Sequence, residues 1–482
     1  ILCCKGGPVM KLAVINGSPK GEKSVTLQHL RWWQAAGGAA ELEVIHVSLE
    51  ILALTRSRTR LSAVLDTIRA ADAVIWSTPV YHHLVPSQVF RFVEACGAEA
   101  GQAFRGKLST ILCTSIHYYD TTALDWLSAV SEDLGMTVYG SFSAGMHDLV
   151  EAKERDRFFR FMEGFTRAIE ADPVLPRNWP PLRPVPQSLS VPEGSFRADL
   201  AGKRVLILAD RPGEDATIAS MVTRLKNAFE CGTVDLQSID GLDIKGGCLG
   251  CCACCFNNDC SWDGRDGFRE FFENHVKPAD VVVYAGAIRG RALSARWKEF
   301  FDRSFYNTHV PVYQGKQMAW LVSGPLGQLG YLRQIMQAYA EVGHANLAGI
   351  VTDESGDADS LGAAIDGLAW RIAEWGKSGY VSPRTFAGIG GIKIFRDAVW
   401  GGMRLIFRVD HKVFKKNGTY DYPHRHWLRR MGMALAWPVM GISGVQRLVK
   451  ARMRDEMVKP ARAAVQAEIR RNKHKSRSGE RG

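Results

Sequence analysis

From Met10 onward, short apolar runs alternate with stretches of helical periodicity. The runs are KLAVING at 11–17, ELEVIHVSL at 41–49, DAVIWSTPVY at 72–81, KLSTILCTS at 107–115 and MTVYGSFSA at 136–144. Between them the spacing predicts helices starting near Ser24, Arg60, Ser87, Thr121 and Val150. Unbroken apolar runs of this length are strands buried on both faces, so they predict a parallel sheet with helices on either side. Right-handed crossovers make the first architecture a three-layer, doubly wound α/β domain.

Seven prolines between Asp172 and Ser195 (Pro173, Pro176, Pro180, Pro181, Pro184, Pro186, Pro192) interrupt the alternation. That density excludes a helix or a central strand and predicts a semi-rigid linker. The same order then restarts with KRVLILAD, a helix from Ala216, TVDLQSI, a cysteine-rich loop, a helix from Arg265, DVVVYAGAI, a helix from Ser294, QMAWLVSG, a helix from Tyr331, NLAGIVTD and a helix over Asp359–Trp375. A repeat of about 190 residues is too long for a solenoid and predicts two tandem domains. The expected limits are 10–172 for the first domain, 173–200 for the linker, 201–376 for the second domain and 377–482 for a mainly helical C-terminal extension. Ile1–Val9 reads as sequence upstream of a start at Met10, and the end of the chain from about Asn472 as disordered.

Charge separates the extension from the rest. The 482 residues carry a formal net charge of +11, yet residues 377–482 hold 24 Lys and Arg against 7 Asp and Glu. The remainder is therefore slightly acidic, and the basicity belongs to the extension. Apolar residues at 46% and charged residues at 23% exclude wholesale disorder and a multi-span membrane protein. The chain contains no signal-peptide pattern and no uncharged apolar run of about 18 residues. Six of the 11 cysteines lie between Cys248 and Cys260, which marks a site and not a secreted disulfide framework. The expected compartment is the reducing cytoplasm.

Two loops carry candidate chemistry in the first domain. The first strand ends in Asn16-Gly17-Ser18-Pro19-Lys20-Gly21-Glu22-Lys23-Ser24-Val25-Thr26, immediately before a helix. Close backbone approach, hydroxyl donors and a helix N-terminus suit a phosphate, although an ordinary capped turn would read the same way. The third strand ends in Ser77-Thr78-Pro79-Val80-Tyr81-His82-His83, and Pro86-Ser87-Gln88 opens the next helix. Loops after strands one and three flank the ligand crevice of an open parallel sheet in the flavodoxin order. NGSPK with its following hydroxyls, together with ADAVIWSTPVY and VPSQVFRFVE, resembles the flavodoxin-fold NADPH-dependent FMN reductase family. The resemblance implies that Gly17, Ser18, Lys20, Ser24 and Thr26 hold an FMN phosphate and that Thr78, Pro79, Val80 and Tyr81 border the flavin ring. It also implies NAD(P)H as electron donor.

The cysteine loop places Cys248, Cys251, Cys254 and Cys260 at C-x2-C-x2-C-x5-C, with Cys252 and Cys255 as an extra pair. Four soft ligands within 13 residues suit a 4Fe-4S cluster. A structural zinc ion, a redox dithiol and buried free thiols are the competing readings. Spacing and location also resemble the iron-sulfur flavoproteins of the same superfamily. In the second domain, the loop from Asp210 to Thr217 brings three carboxylates where a phosphate would sit, and Gly286–Arg291 lacks the TPVY segment, so one flavin is expected in the first domain and a second is less favoured. Arg289 and Arg291 read as solvated charges, or as donors to a nicotinamide phosphate or an acidic partner.

The fold class expected is therefore α/β: two tandem flavodoxin-like doubly wound parallel sheets plus a basic helical extension. The expected function is an FMN-dependent oxidoreductase with a 4Fe-4S cluster, in which cofactors and no side chain perform the redox chemistry. The alternative is a non-catalytic electron carrier or docking subunit held by its tail. Expected partners are a redox protein or a small-molecule acceptor, and the chain is a candidate homo-oligomer. Basic ends around the apolar stretch Met431–Val445 fit a peripheral membrane contact as well as a helical arm on the acidic body, and nucleic acid is a weaker third.

Overall fold

The computed structural model describes residues 9–97, 100–185, 189–211 and 213–479. Expectations for Ile1–Pro8, Pro186 and Pro212 lie outside them. Residues up to Phe414 form one compact unit, and Lys415 onward a second.

The first half of the large unit runs β1 (Lys11–Asn16), α1 (Val25–Ala35), β2 (Glu41–Ile45), α2 (Ile51–Arg56), α3 (Arg58–Ala70), β3 (Ala73–Pro79), α4 (Ser87–Cys96), α5 (Ala100–Phe104), β4 (Leu108–Ser115), α6 (Asp120–Asp133), β5 (Thr137–Gly145) and α7 (Ala152–Ala171). Its five strands are parallel in the order β2-β1-β3-β4-β5. Helix starts follow local capping: Ser24 accepts from Leu27 N–H at the head of α1, and Ser57 from Arg60 N–H at the head of α3. Leu12, Val14 and Ile75 are buried toward one helical layer, and Ala13, Ile15 and Trp76 toward the other, as a parallel sheet covered on both faces requires.

The described residues of 173–197 form no helix or strand. They are nevertheless fastened: Asn178 and Trp179 donate backbone N–H bonds to Glu132, and Arg183 pairs with Gln328. The second half follows with β6 (Ala198–Asp199), β7 (Arg204–Ala209), α8 (Ala216–Asn227), β8 (Phe229–Glu230), β9 (Thr233–Ser238), α9 (Cys254–Asn257), α10 (Phe268–Phe271), β10 (Val281–Ala287), α11 (Ala295–Ser304), β11 (Gln317–Ser323), α12 (Gly330–Val342), β12 (Asn346–Thr352) and α13 (Ala358–Ser378). Its main sheet is again parallel, ordered β12-β11-β10-β7-β9. Counted from its own first long strand this is the same 2-1-3-4-5 order as in the first half. Not legible were the short helices α2, α5 and α9, the small parallel pair β6–β8, and the short α10, which passes into a π-helical turn over Phe272–Val276 in place of a regular helix from Arg265.

The extension divides. Helices α14 (Phe386–Ala398) and α15 (Arg408–Lys416) begin it, and α14 packs on the large unit. There Glu341 accepts from the N–H groups of Thr385 and Gly388, and Asp410 from that of His309. The second unit contains α16 (Trp427–Met440) and α17 (Ser443–Gly479). Helix α17 runs past Asn472, where the composition had suggested disorder.

The two halves meet along α4 and α11, and the N-terminus of each helix is capped by a carboxylate from the last turn of the other. Asp302 of α11 accepts from Ser87 N–H, the first residue of α4, at 2.8 Å. Glu94 of α4 accepts from Ala295 N–H, the first residue of α11, at 2.6 Å. Lys298 pairs with Asp302 in the same buried seam, and Arg91 pairs with Glu299. Arg291, expected as a solvated charge, is buried there too, clamped on Asp133 at 2.7 Å and on the carbonyl of Pro180. Burial lowers the Lys298 pKa and raises that of Asp302, while each partner's charge opposes the shift of the other.

Removing one member of a fully buried pair strands the other charge and typically costs about 3–5 kcal/mol. Asp302→Ala is expected to lower stability by that amount. Asp66→Ala, which breaks the exposed Arg69–Asp66 pair, is expected to cost less than about 1 kcal/mol. Urea unfolding of the two variants checks the contrast.

Candidate functional site

The loops at the carboxyl ends of β1, β3 and β4 face one crevice. Asn16 shapes the first of them: its Oδ1 accepts from Ser18 N–H at 3.1 Å and its Nδ2 donates to the Gly21 carbonyl at 3.0 Å. Ser48 Oγ donates to the Gly17 carbonyl at 2.8 Å. Ser18, Ser24 and Thr26 are buried at this turn, whereas Lys20 is exposed. Ser24 Oγ accepts from Leu27 N–H at the head of α1, and the hydroxyls of Thr26 and Thr114, the latter at the end of β4, share a hydrogen bond. A side chain at Gly17 would strike Thr78 and Val89, so the closeness of the β1 and β3 loops depends on glycine there.

In the second loop Val80 N–H donates to the Thr114 carbonyl at 3.1 Å, and Tyr81 and Leu84 exchange backbone bonds at 2.7 and 3.1 Å. Thr78 is buried, Pro79 presents no N–H, and the Tyr81 hydroxyl is buried without a hydrogen-bond partner. Burial first, and then the neighbouring thiols and Asp302, hold the Tyr81 pKa well above its usual value, so the group remains a donor.

The cysteine loop of the second half lies directly against these residues. Gln88 Nε2 donates to the Cys248 carbonyl at 3.0 Å, and Lys298 Nζ to the Tyr81 carbonyl at 2.8 Å. Gly250, at φ +60°, is the contact point: a Cβ there would collide with the Tyr81 hydroxyl and crowd Lys20. Gly247 likewise leaves room for Ser87 and Gln88. The left-handed conformations of Gly250, Cys252 and Asn258 fold the loop back on itself.

Cys248, Cys251, Cys254 and Cys260 line one pocket, joined by Cys252, Trp262 and Arg303. Cys255 is buried and does not line it. Arg303 is fixed beside the cavity by two bonds to Asp266, at 2.7 and 2.9 Å, and lies over the Trp262 ring. Burial raises the pKa of the Cys248 and Cys260 thiols. A hydrogen bond with Cys255 lowers those of Cys254 and Cys252, the latter to about 6, where Lys20 contributes. Among the described residues no three His, Cys, Asp or Glu side chains are grouped as a site for a single metal ion.

Several participants were missed from the sequence. Thr114 ties both loops, yet it lies at the end of an ordinary strand run. Asp302 and Lys298 act across the seam; the signal was the likeness of SARWKEFFD to PSQVFRFVE, which gives the two helices interchangeable capping positions. His82 and His83 occupy consecutive left-handed positions, at φ 42° and 74°, and enter an aromatic cluster with Tyr118, Tyr119 and Tyr339.

The corresponding place in the second half is closed. Asp210 stands where the first half has Gly17, accepting from Trp297 Nε1 at 2.6 Å and from Ala287 N–H at 2.7 Å. Arg289, at the position of Tyr81, pairs with Glu214.

The strand order and the crevice define the first half as a flavodoxin-like α/β unit. Residues 10–148 match the family model of NADPH-dependent FMN reductase. No curated protein matches the chain. Among solved structures, the flavoenzyme NAD(P)H:(acceptor) oxidoreductase FerB from Paracoccus denitrificans is 20% identical over 34% of this chain and 98% of its own, with a TM-score of 0.28. An FMN-dependent NADH-azoreductase from Bacillus anthracis, in complex with FMN, is 15% identical over 33% of this chain and 99% of its own, with a TM-score of 0.26. General stress protein 14 from Treponema denticola, in complex with FMN, is 12% identical over 34% and 98%, with a TM-score of 0.25.

The histidine pair predicts the acid limb of stability. Burial, reinforced by Lys298, lowers the His82 pKa from 6.5 to about 3 in the folded protein. As pH falls below about 6.5 the unfolded chain takes up this proton first, so stability present at neutral pH is lost. At pH 5 the loss from His82 is about 2 kcal/mol. His82→Asn, which tolerates the left-handed backbone, is expected to flatten that limb in urea titrations between pH 7.5 and pH 5; an unchanged slope would contradict the assignment.

Proposed function

We propose that this protein is an FMN-dependent NAD(P)H oxidoreductase that holds its flavin in the crevice of the first half and a 4Fe-4S cluster on the cysteine loop of the second. The flavin reading is supported by the family match over residues 10–148 and by the close packing of the β1 and β3 loops at Gly17, where a Cβ would strike Thr78 and Val89. The unpartnered Tyr81 hydroxyl, aimed from the ring loop, is also consistent with a bound polar group. Ser18, Ser24 and Thr26 supply hydroxyls and the head of α1 for the phosphate, with Lys20 as its cation. Thr78, Pro79, Val80 and Tyr81 border the ring. The cluster reading rests on donor chemistry, because four thiols suited to iron line one cavity and do not converge on a point.

The observation that carries the combined reading is the contact of Gly250 with Tyr81 and Lys20, which leaves no solvent layer between the flavin loops and the thiol loop. Held there, FMN would supply hydride-accepting chemistry toward NAD(P)H, and an iron-sulfur cluster held by the thiols would supply single-electron chemistry toward a redox protein or small-molecule acceptor. The side chains bind, orient and exclude water. Tyr81 keeps its proton at the boundary, and Arg303 sets a fixed positive charge beside the thiols. Asp210, Trp297 and Arg289 leave the second half without a comparable crevice, which favours one flavin per chain.

Anaerobically purified protein is expected to contain one FMN with about four iron and four sulfide per chain, and to oxidise NAD(P)H in steady state. Cys248→Ser is expected to remove the iron and leave the flavin. Stoichiometric zinc in place of iron would defeat the cluster, and colourless protein would defeat the whole reading.

A further inference from the structure

We propose that the second unit is a lipid anchor: α16 embeds its uncharged stretch from Met431 in one leaflet of an anionic bilayer, while Arg429 and Arg430 in its first turn and the basic residues that follow it bind headgroups. The inference is independent of the redox reading. Trp427, Leu428, Met431 and Leu435 are all exposed on one side of α16, and Met433 and Trp437 on the other. Leu435 is 76% exposed and Trp437 80%. A helix that is apolar on both sides is not satisfied by a groove that covers a single stripe; it needs an apolar surrounding.

Charge identifies the surrounding. No charged residue lies between Met431 and Gln446, whereas Arg429 and Arg430 precede this stretch and Arg447, Lys450 and Arg452 follow it. Residues 415–482 hold 17 Lys and Arg against 5 Asp and Glu. Positive charge at both ends of an apolar segment matches an anionic surface entered and left on the same side. Length agrees. Helix α16 has 14 residues, about 21 Å, against a hydrocarbon core of about 30 Å, and the chain turns at Gly441–Ile442 before α17 begins. Among the described residues no helix is long and apolar enough to cross a membrane, so the mode is insertion in a leaflet and not a span. A nucleic acid would satisfy the arginines and leave both apolar sides of α16 in water.

The test is co-sedimentation of the full chain with vesicles of phosphatidylcholine containing about 30% phosphatidylglycerol, against pure phosphatidylcholine. Binding is expected to the anionic vesicles and to be much weaker on the neutral ones. Leu435→Glu with Trp437→Glu is expected to abolish it. Arg429→Gln with Arg430→Gln is expected to weaken it by roughly 25-fold, fivefold for each arginine. Unchanged thermal unfolding of both variants shows that the large unit is intact. Failure to sediment with anionic vesicles, or binding indifferent to the glutamate pair, would overturn the proposal. So would tight binding to duplex DNA that persists in the glutamate variant, or a dimer lost in that variant with no vesicle binding by the parent.

Discussion

The exchange of caps between α4 and α11 is the constraint on which the rest depends. A helix that starts in a buried seam exposes N–H groups to a place with no water, and each must find an acceptor. Here Glu94 serves α11 and Asp302 serves α4. Because each helix begins directly behind the loop that follows its own third strand, the exchange fixes both loops at once. Lys298 completes the arrangement by neutralising Asp302 and holding the Tyr81 carbonyl. The position of the ring loop is thus determined by residues of the other half of the chain.

The two halves share a strand order and a seam but differ in how the crevice is used. In the first half Thr78 and Val89 pack directly on Gly17, and the absence of a side chain there lets the β1 and β3 loops come together. At the matching positions the second half has Asp210, Gly286 and Trp297, and an indole–carboxylate bond ties its loops. Having closed its own crevice, the second half places its inserted cysteine loop over that of the first. Two glycines, Gly247 and Gly250, permit the approach.

Much of this was legible from the chain. Apolar runs identified the central strands of the two main sheets, because a strand buried on both faces has no polar alternation to confuse with a helix, and the edge strands β2 and β9 were found from alternating apolar residues in their place in the order. NGSPK and STPVY marked the crevice loops, since close backbone approach demands glycine and hydroxyls at set places. Long-range pairing was not legible. Nothing in SARWKEFFD alone says that its aspartate caps a helix two hundred residues earlier, and Arg291 looked like any exposed arginine until Asp133 and the Pro180 carbonyl closed around it. For the basic extension the sequence left a membrane contact and a helical arm on the body as alternatives, and over 377–414 Glu341 and His309 fasten it to the body through backbone bonds that no pattern of side chains announces.

The central claim is that a flavin and an iron-sulfur cluster face each other across the Tyr81–Gly250 contact. Diffraction from anaerobically grown crystals, recorded on both sides of the iron absorption edge, addresses it most directly. The account predicts anomalous density from several iron atoms among Cys248, Cys251, Cys254 and Cys260, with FMN density running from Ser18 to Tyr81. A single zinc peak among the thiols, or a flavin bound elsewhere, would contradict it.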